Sequence, residues 1–273
     1  MDQLDRVVEV AGVPIRYSVT GQGATTIALT HGFRAHHLWW AAVEPLLAQK
    51  HRVVQLDISG SGDSGHRPEY SIDLWGQEVN AVLADAQIDK ALLVGHSLGG
   101  TSVVMAATQQ PDRAIGVILF DTFIEGEGRF RPIGAAASAP VRIYATREDG
   151  EGRFRLMPTQ EDVDPEILAR IAAYGVKEIP EGWTWKFDQI VAPVIDEELF
   201  NASIAGLSVP FHYVHAGESA VVKPEVVPFL LGFAPEGSTS TLVPDAHHHV
   251  TLSHPQICAQ IIEEYATLWD AGA

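Results

Sequence analysis

The segment Leu92–Ser102, LLVGHSLGGTS, sets Ser97 between a run of β-compatible apolar residues and a run that can form a helix. Gly95 and Gly99 stand two residues to either side of the serine, and Gly100 follows. A sharp turn from strand to helix forces the residue at the turn into strained dihedrals, so its near neighbours must be small. The benefit is geometric: the hydroxyl projects clear of the sheet, and the N–H after it points into the same space. A Gly-x-Ser-x-Gly turn between strand and helix is a nucleophile elbow. A hydroxyl is a poor nucleophile at neutral pH and needs a base, for which the chain offers twelve histidines. No Gly-Lys-Ser/Thr follows the glycines, which argues against a phosphate-binding loop.

The elements around the serine follow a regular rhythm. Arg6–Val10 and Val13–Val19 alternate apolar and polar residues across Ala11-Gly12 and read as a hairpin. Thr25–Thr30, Arg52–Leu56, Ala91–Val94, Ala114–Phe120, Val209–Val214 and Thr239–Val243 are short β-rich runs, mostly continuous in apolar character. Such runs suit strands buried on both faces of a parallel sheet. Helical patterns lie between them, over Trp39–Leu47, over Leu74–Leu83 with Ser71 or Asp73 as N-cap, after Ser97, and over Ile257–Trp269. The expectation is an α/β fold with a mostly parallel eight-stranded sheet flanked by helices. The rhythm breaks after Asp121. Residues 125–207 are too long and too structured for a loop. They read as a helical cap inserted after the sixth strand, dividing the core into residues 1–124 and 208–273.

With 273 residues and 46% hydrophobic content, one domain with a large insertion is expected. The net charge of −17 argues against nucleic acid or an anionic membrane as the main partner, since both repel it. The lone Cys258 excludes an intramolecular disulfide and reads as a buried thiol. No run approaches the roughly 20 apolar residues of a membrane span. The start, Met1–Asp5, is acidic and lacks a basic n-region, so a cytoplasmic location is expected.

Four motifs together resemble the α/β-hydrolase fold family, in its serine hydrolase branch with a cap domain, over nearly the whole chain. "ALTHGF" resembles the oxyanion loop and "QLDISGSGDS" the turn after the fourth strand. "VGHSLGG" resembles the elbow and "VPDAHHHVTLSHP" the C-terminal histidine motif. The resemblance implies a Ser-His-acid triad with Ser97 as nucleophile. Aligning Pro244-Asp245-Ala246 and Pro255 with the family pattern puts His248 on the catalytic histidine, with His247 in place of the usual glycine and His249 as the other choice. His31 then matches the family's structural histidine. The usual aspartate position after the seventh strand is Ala220 here, which leaves Asp121, at the end of the sixth strand, as the expected acid and Glu218 as the alternative. The resemblance also implies an oxyanion hole from the N–H groups of Phe33 and Leu98. The loop Asp57–Ser64 reads as structural.

Arg34, His96, Trp183 and Trp185 are candidates for the substrate pocket. Arg153 and Arg155 read as salt-bridge partners. A metal at His247-His248-His249 is set aside, because consecutive loop residues rarely face one ion and no further ligand set accompanies them. No cofactor is expected. The partner expected is a small molecule, with a homodimer as an option. The expected reaction is hydrolysis of an ester, lactone or related carbonyl bond of a small, largely apolar molecule through an acyl-enzyme. Three alternatives share the scaffold: a C–C bond hydrolase of ring-cleavage products, a cofactor-free dioxygenase of the hydroxyquinolone type, and a non-catalytic receptor.

Overall fold

The computed structural model describes residues 3–122, 131–132, 140–191 and 194–270. The expected boundary between residues 124 and 125 lies outside them, as does most of the Gly- and Ala-rich stretch that follows. Eight strands form one sheet: β1 (Arg6–Val10), β2 (Val13–Thr20), β3 (Thr26–Thr30), β4 (Arg52–Leu56), β5 (Ala91–His96), β6 (Ala114–Phe120), β7 (Phe211–Ala216) and β8 (Thr239–Val243). Their spatial order is β1-β2-β4-β3-β5-β6-β7-β8. The β1/β2 and β2/β4 pairs are antiparallel and the others parallel. Every residue of β5, β6 and β7 is buried. Their continuous apolar runs arise because helices cover both faces of the sheet.

Helices α1 (Ile72–Asp85) and α2 (Leu98–Gln109) close one face. Ser71 caps α1 by accepting from the Leu74 N–H at 3.2 Å. The opposite face is closed by a short helix, Glu44–Leu47, and the C-terminal helix. The periodic run Trp39–Leu47 is divided there into a 3₁₀ turn, His37–Trp40, and that short helix. Cys258 is buried among these apolar residues, with its thiol 3.6 Å from the Val250 carbonyl. Among the described residues no helix is long and apolar enough to cross a membrane.

The insertion is not purely helical. It carries α3 (Pro165–Tyr174) and α4 (Glu197–Ala205), the short helix Arg147–Glu151, and a β-hairpin pairing Val176–Ile179 with Gly182–Trp185. The hairpin follows from the sequence Gly-Trp-Thr-Trp, which alternates bulky β-formers, and from Gly182, whose φ of +132° a side chain would resist.

A buried polar cluster fastens this insertion to the core. Asp57, fully buried after β4, accepts from the His37 N–H at 2.7 Å, the Asp63 N–H at 3.0 Å and the Tyr174 hydroxyl at 2.8 Å. Burial alone would raise its pKa, but the surrounding imidazoles of His37, His31 and His36 outweigh that and hold it well below the usual carboxylate range. Tyr174 sits in α3 and also bonds Asp63, whose carboxylate pairs with Lys186 of the insertion at 2.7 Å. Gly62 allows the tight turn: its φ is +51°, and a Cβ there would collide with the Asp57 carboxylate.

Candidate active site

Ser97 is the hinge between β5 and α2, with φ 51° and ψ −122°, a conformation a serine adopts only under constraint. The neighbouring glycines supply that constraint. A Cβ at Gly95 would strike the Gly99 backbone, and one at Gly99 the Thr30 and His31 carbonyls. A Cβ at Gly100 would strike the Thr122 side chain. The loop from His31 packs directly on the serine, since a Cβ on Gly32 would lie 3.1 Å from that of Ser97. His31 is fully buried, with Nδ1 2.8 Å from the Gly32 carbonyl and Nε2 accepting from the Ile58 N–H. These contacts hold the loop in place.

His248 follows β8 and reaches back over the sheet. Its Nε2 lies 3.1 Å from Ser97 Oγ and its Nδ1 2.7 Å from Asp121 Oδ2. Asp121, fully buried at the end of β6, has φ 44°. Its carboxylate also accepts from the Ala216 N–H at 3.2 Å and from the Ser219 hydroxyl at 2.6 Å. Ser219 is itself held by the N–H groups of Val221 and Val222. The loop after β7 therefore contributes a hydroxyl to the carboxylate. Glu218, two residues from Ala220, is exposed, and its backbone N–H bonds the Ala246 carbonyl.

A cavity of about 190 Å³ opens beside Ser97. Phe33, Trp39, Leu98, Ile195, Phe200 and Val221 give it an apolar wall, and His96, His248, His249, Thr101 and Glu197 its polar groups. Phe33 and Leu98 thus border the serine. The Leu98 N–H opens α2, where no carbonyl of the helix can accept it. His96 also lines the cavity, and its Nε2 donates to the His248 carbonyl at 2.8 Å.

Three expected pocket residues lie elsewhere. The Arg34 guanidinium sits over the Phe33 and Phe187 rings, 5.0 and 5.1 Å from their centroids, and borders neighbouring clefts. Trp183 and Trp185 share one face of the hairpin because strand residues two apart point the same way. That face meets the insertion's own aromatic cluster. Trp185 stacks on Phe187 and donates to the Tyr144 hydroxyl at 3.1 Å, while Arg147 covers the Trp183 ring. Arg155 bonds the carbonyls of Gly152 and Phe154. Residues the sequence did not single out for the site include Ser219, Glu197, Phe200 and Ile195. Glu197 is buried at the first turn of α4, where an acidic residue is expected for the helix dipole alone.

Buried imidazoles lie at the site and elsewhere in the core, where His212 stacks on Tyr265 of the C-terminal helix. Burial lowers the pKa of His31, His36 and His96, takes His212 to about 4, and takes His249 to about 3. The His212 and His249 rings stay neutral in the folded chain at pH values where their unfolded counterparts already bind a proton. Stability is therefore complete above pH 6.5 and is lost as the pH falls through that value toward the folded pKa values. From pH 7.5 to 5.5, His212 and His249 each cost about 1.4 kcal/mol. The Tm is expected to fall by about 5 °C or more over this interval. A flat Tm in differential scanning calorimetry would contradict the buried, neutral assignment.

The chain matches a known family. A model of the alpha/beta hydrolase family matches residues 27–261, and the chain belongs to that family. The protein is a hydrolase enzyme, and its similarities extend to individual proteins. It is 23% identical over 258 residues to the mouse (Mus musculus) sn-1-specific diacylglycerol lipase ABHD11, covering 89% of this chain and 82% of that one. Four further curated relatives, 30–35% identical, are matched over less than half of their own length. The thioesterase domain from the curacin biosynthetic pathway superposes with a TM-score of 0.77 at 20% identity, covering 94% of this chain and 98% of that one. The esterase Rv0045c from Mycobacterium tuberculosis does so with a TM-score of 0.75 at 20% identity, covering 95% and 89%.

Proposed function

We propose that the protein is a serine hydrolase that cleaves an ester, lactone or related carbonyl bond of a small, largely apolar molecule. The observation that carries this reading is the continuous run from Ser97 Oγ through the His248 ring to Asp121 Oδ2, opening on an apolar cavity. In this mechanism His248 Nε2 takes the Ser97 proton as Oγ attacks the substrate carbonyl carbon. The carbonyl π-pair moves onto oxygen, where the N–H groups of Leu98 and Phe33 receive it. The tetrahedral species collapses, the bond to the leaving alcohol breaks, and His248 returns the proton to that alcohol. Water then repeats the sequence on the acyl-enzyme and frees the acid. Asp121 fixes the imidazole tautomer with Nδ1–H and stabilises the imidazolium. The similarity to a diacylglycerol lipase favours ester chemistry over C–C cleavage.

A fluorophosphonate probe with short p-nitrophenyl esters tests the proposal. Wild type is expected to be labelled and to turn the esters over, and Ser97→Ala to do neither. An unlabelled, inactive wild type that consumes oxygen with a hydroxyquinolone would replace this reading with the dioxygenase.

A further inference from the structure

His96 and His249 take no part in the proton transfer above, yet they crowd it. His96 ends β5, whereas His248 and His249 follow β8. Their ring centroids stand 4.9 Å apart for His96–His248, 5.1 Å for His248–His249 and 5.8 Å for His96–His249. One ring nitrogen from each lies within 4.8 Å of the other two, and all three side chains are buried. Because His96 Nε2 donates to a carbonyl, its Nδ1 keeps the lone pair in the neutral ring, and that nitrogen is buried without a hydrogen-bond partner. All three residues line the cavity, so a small ion entering by the substrate's route meets them.

We propose that His96, His248 and His249 form a binding site for a divalent transition-metal ion such as Zn²⁺, and that its occupancy switches the enzyme off. Imidazole nitrogen is a preferred ligand of these ions, and Mg²⁺ and Ca²⁺ prefer oxygen, so the site discriminates against the latter. Zn–N bonds of about 2.0–2.1 Å in tetrahedral geometry set the nitrogens about 3.4 Å apart, so the rings close by at most about 1.4 Å. The fourth position faces the cavity and takes water. His247, the other member of the tripeptide, is not in the cluster: the strand supplies the ligand that three adjacent loop residues could not.

Inhibition follows from the bonds His248 already makes. Its Nδ1 is engaged by Asp121 and its Nε2 by Ser97. An ion on Nε2 displaces the Ser97 hydroxyl, and an ion on Nδ1 displaces the Asp121 carboxylate. Either way the base can no longer collect the serine proton.

The test is isothermal titration of the full chain with Zn²⁺ at pH 7.5. Wild type is expected to bind one ion with a Kd in the micromolar range or tighter, and to bind Mg²⁺ far more weakly. His96→Gln and His249→Gln are expected to weaken Zn²⁺ at least tenfold, and His247→Gln to leave it unchanged. Ser97→Ala keeps all three imidazoles and is expected to bind fully. Intact binding with no hydrolysis would overturn the proposed function and spare this site, and hydrolysis without binding would do the reverse. Binding that leaves ester turnover unaffected overturns the inhibitory role. Should the histidine variants fail to fold, Co²⁺ on wild type decides. Paramagnetic shifts on the ring protons of His96, His248 and His249 support the site, and shifts confined to other histidines overturn it.

Discussion

Ser97→Ala is expected to abolish ester hydrolysis, lowering kcat by about 10⁶-fold while leaving the fold intact. The loss is large because every step of the proposed reaction passes through Oγ. The fold is spared because Oγ bonds only the His248 ring among the described residues, and alanine suffers no more than serine at φ 51°. Substitutions that remove no cap, charge or core volume usually shift stability by under about 0.5 kcal/mol. Steady-state kinetics with a p-nitrophenyl ester and a thermal melt read both halves. Residual turnover above about 1% of wild type would remove Ser97 from the mechanism.

Asp121→Asn is expected to cost about 10⁴-fold in kcat. The Ala216 N–H bonds Oδ1, whereas His248 Nδ1 and the Ser219 hydroxyl share Oδ2, so an asparagine oxygen that keeps the Ala216 bond sets its NH₂ at the Oδ2 position, facing His248 Nδ1. That favours the tautomer with the proton on Nε2, where it can no longer accept from Ser97. Glu218→Gln serves as the comparison. Glu218 is exposed and contributes its backbone, so its variant is expected to stay within about twofold of wild type. Asp121→Asn activity within tenfold of wild type, or a greater loss in Glu218→Gln, would move the acid off β6.

The central strands were legible in the sequence because they are buried on both faces and so read as unbroken apolar runs, and the β1/β2 hairpin because it alternates. All eight stand within about two residues of the positions those runs indicate. Ser97 announces itself through glycines that backbone contacts make obligatory. His248 and Asp121 were reached through a likeness to a family, and the chain meets that family's model over residues 27–261. Ser219 was not legible, because its bond to Asp121 spans 98 residues and nothing local marks it. The two tryptophans were ambiguous for the same kind of reason: a period of two shows that they share a face, but not which surface the face meets. The approach of His96 to His249 is likewise a product of tertiary packing, joining the end of one strand to a loop beyond the edge strand.

β5 and β6 are adjacent in the sheet, and His96 pairs with Phe120 across them. The backbone N–H of Ser97 bonds the Phe120 carbonyl at 2.9 Å, and that of Asp121 bonds the Val214 carbonyl at 2.8 Å. Hydroxyl and carboxylate are thus riveted to a common rigid plate, and their spacing is a property of main-chain pairing. The imidazole arrives on a separate arm. A one-residue slip of either strand would turn that strand's group to the other face of the sheet and part the pair on which the proposed reaction depends.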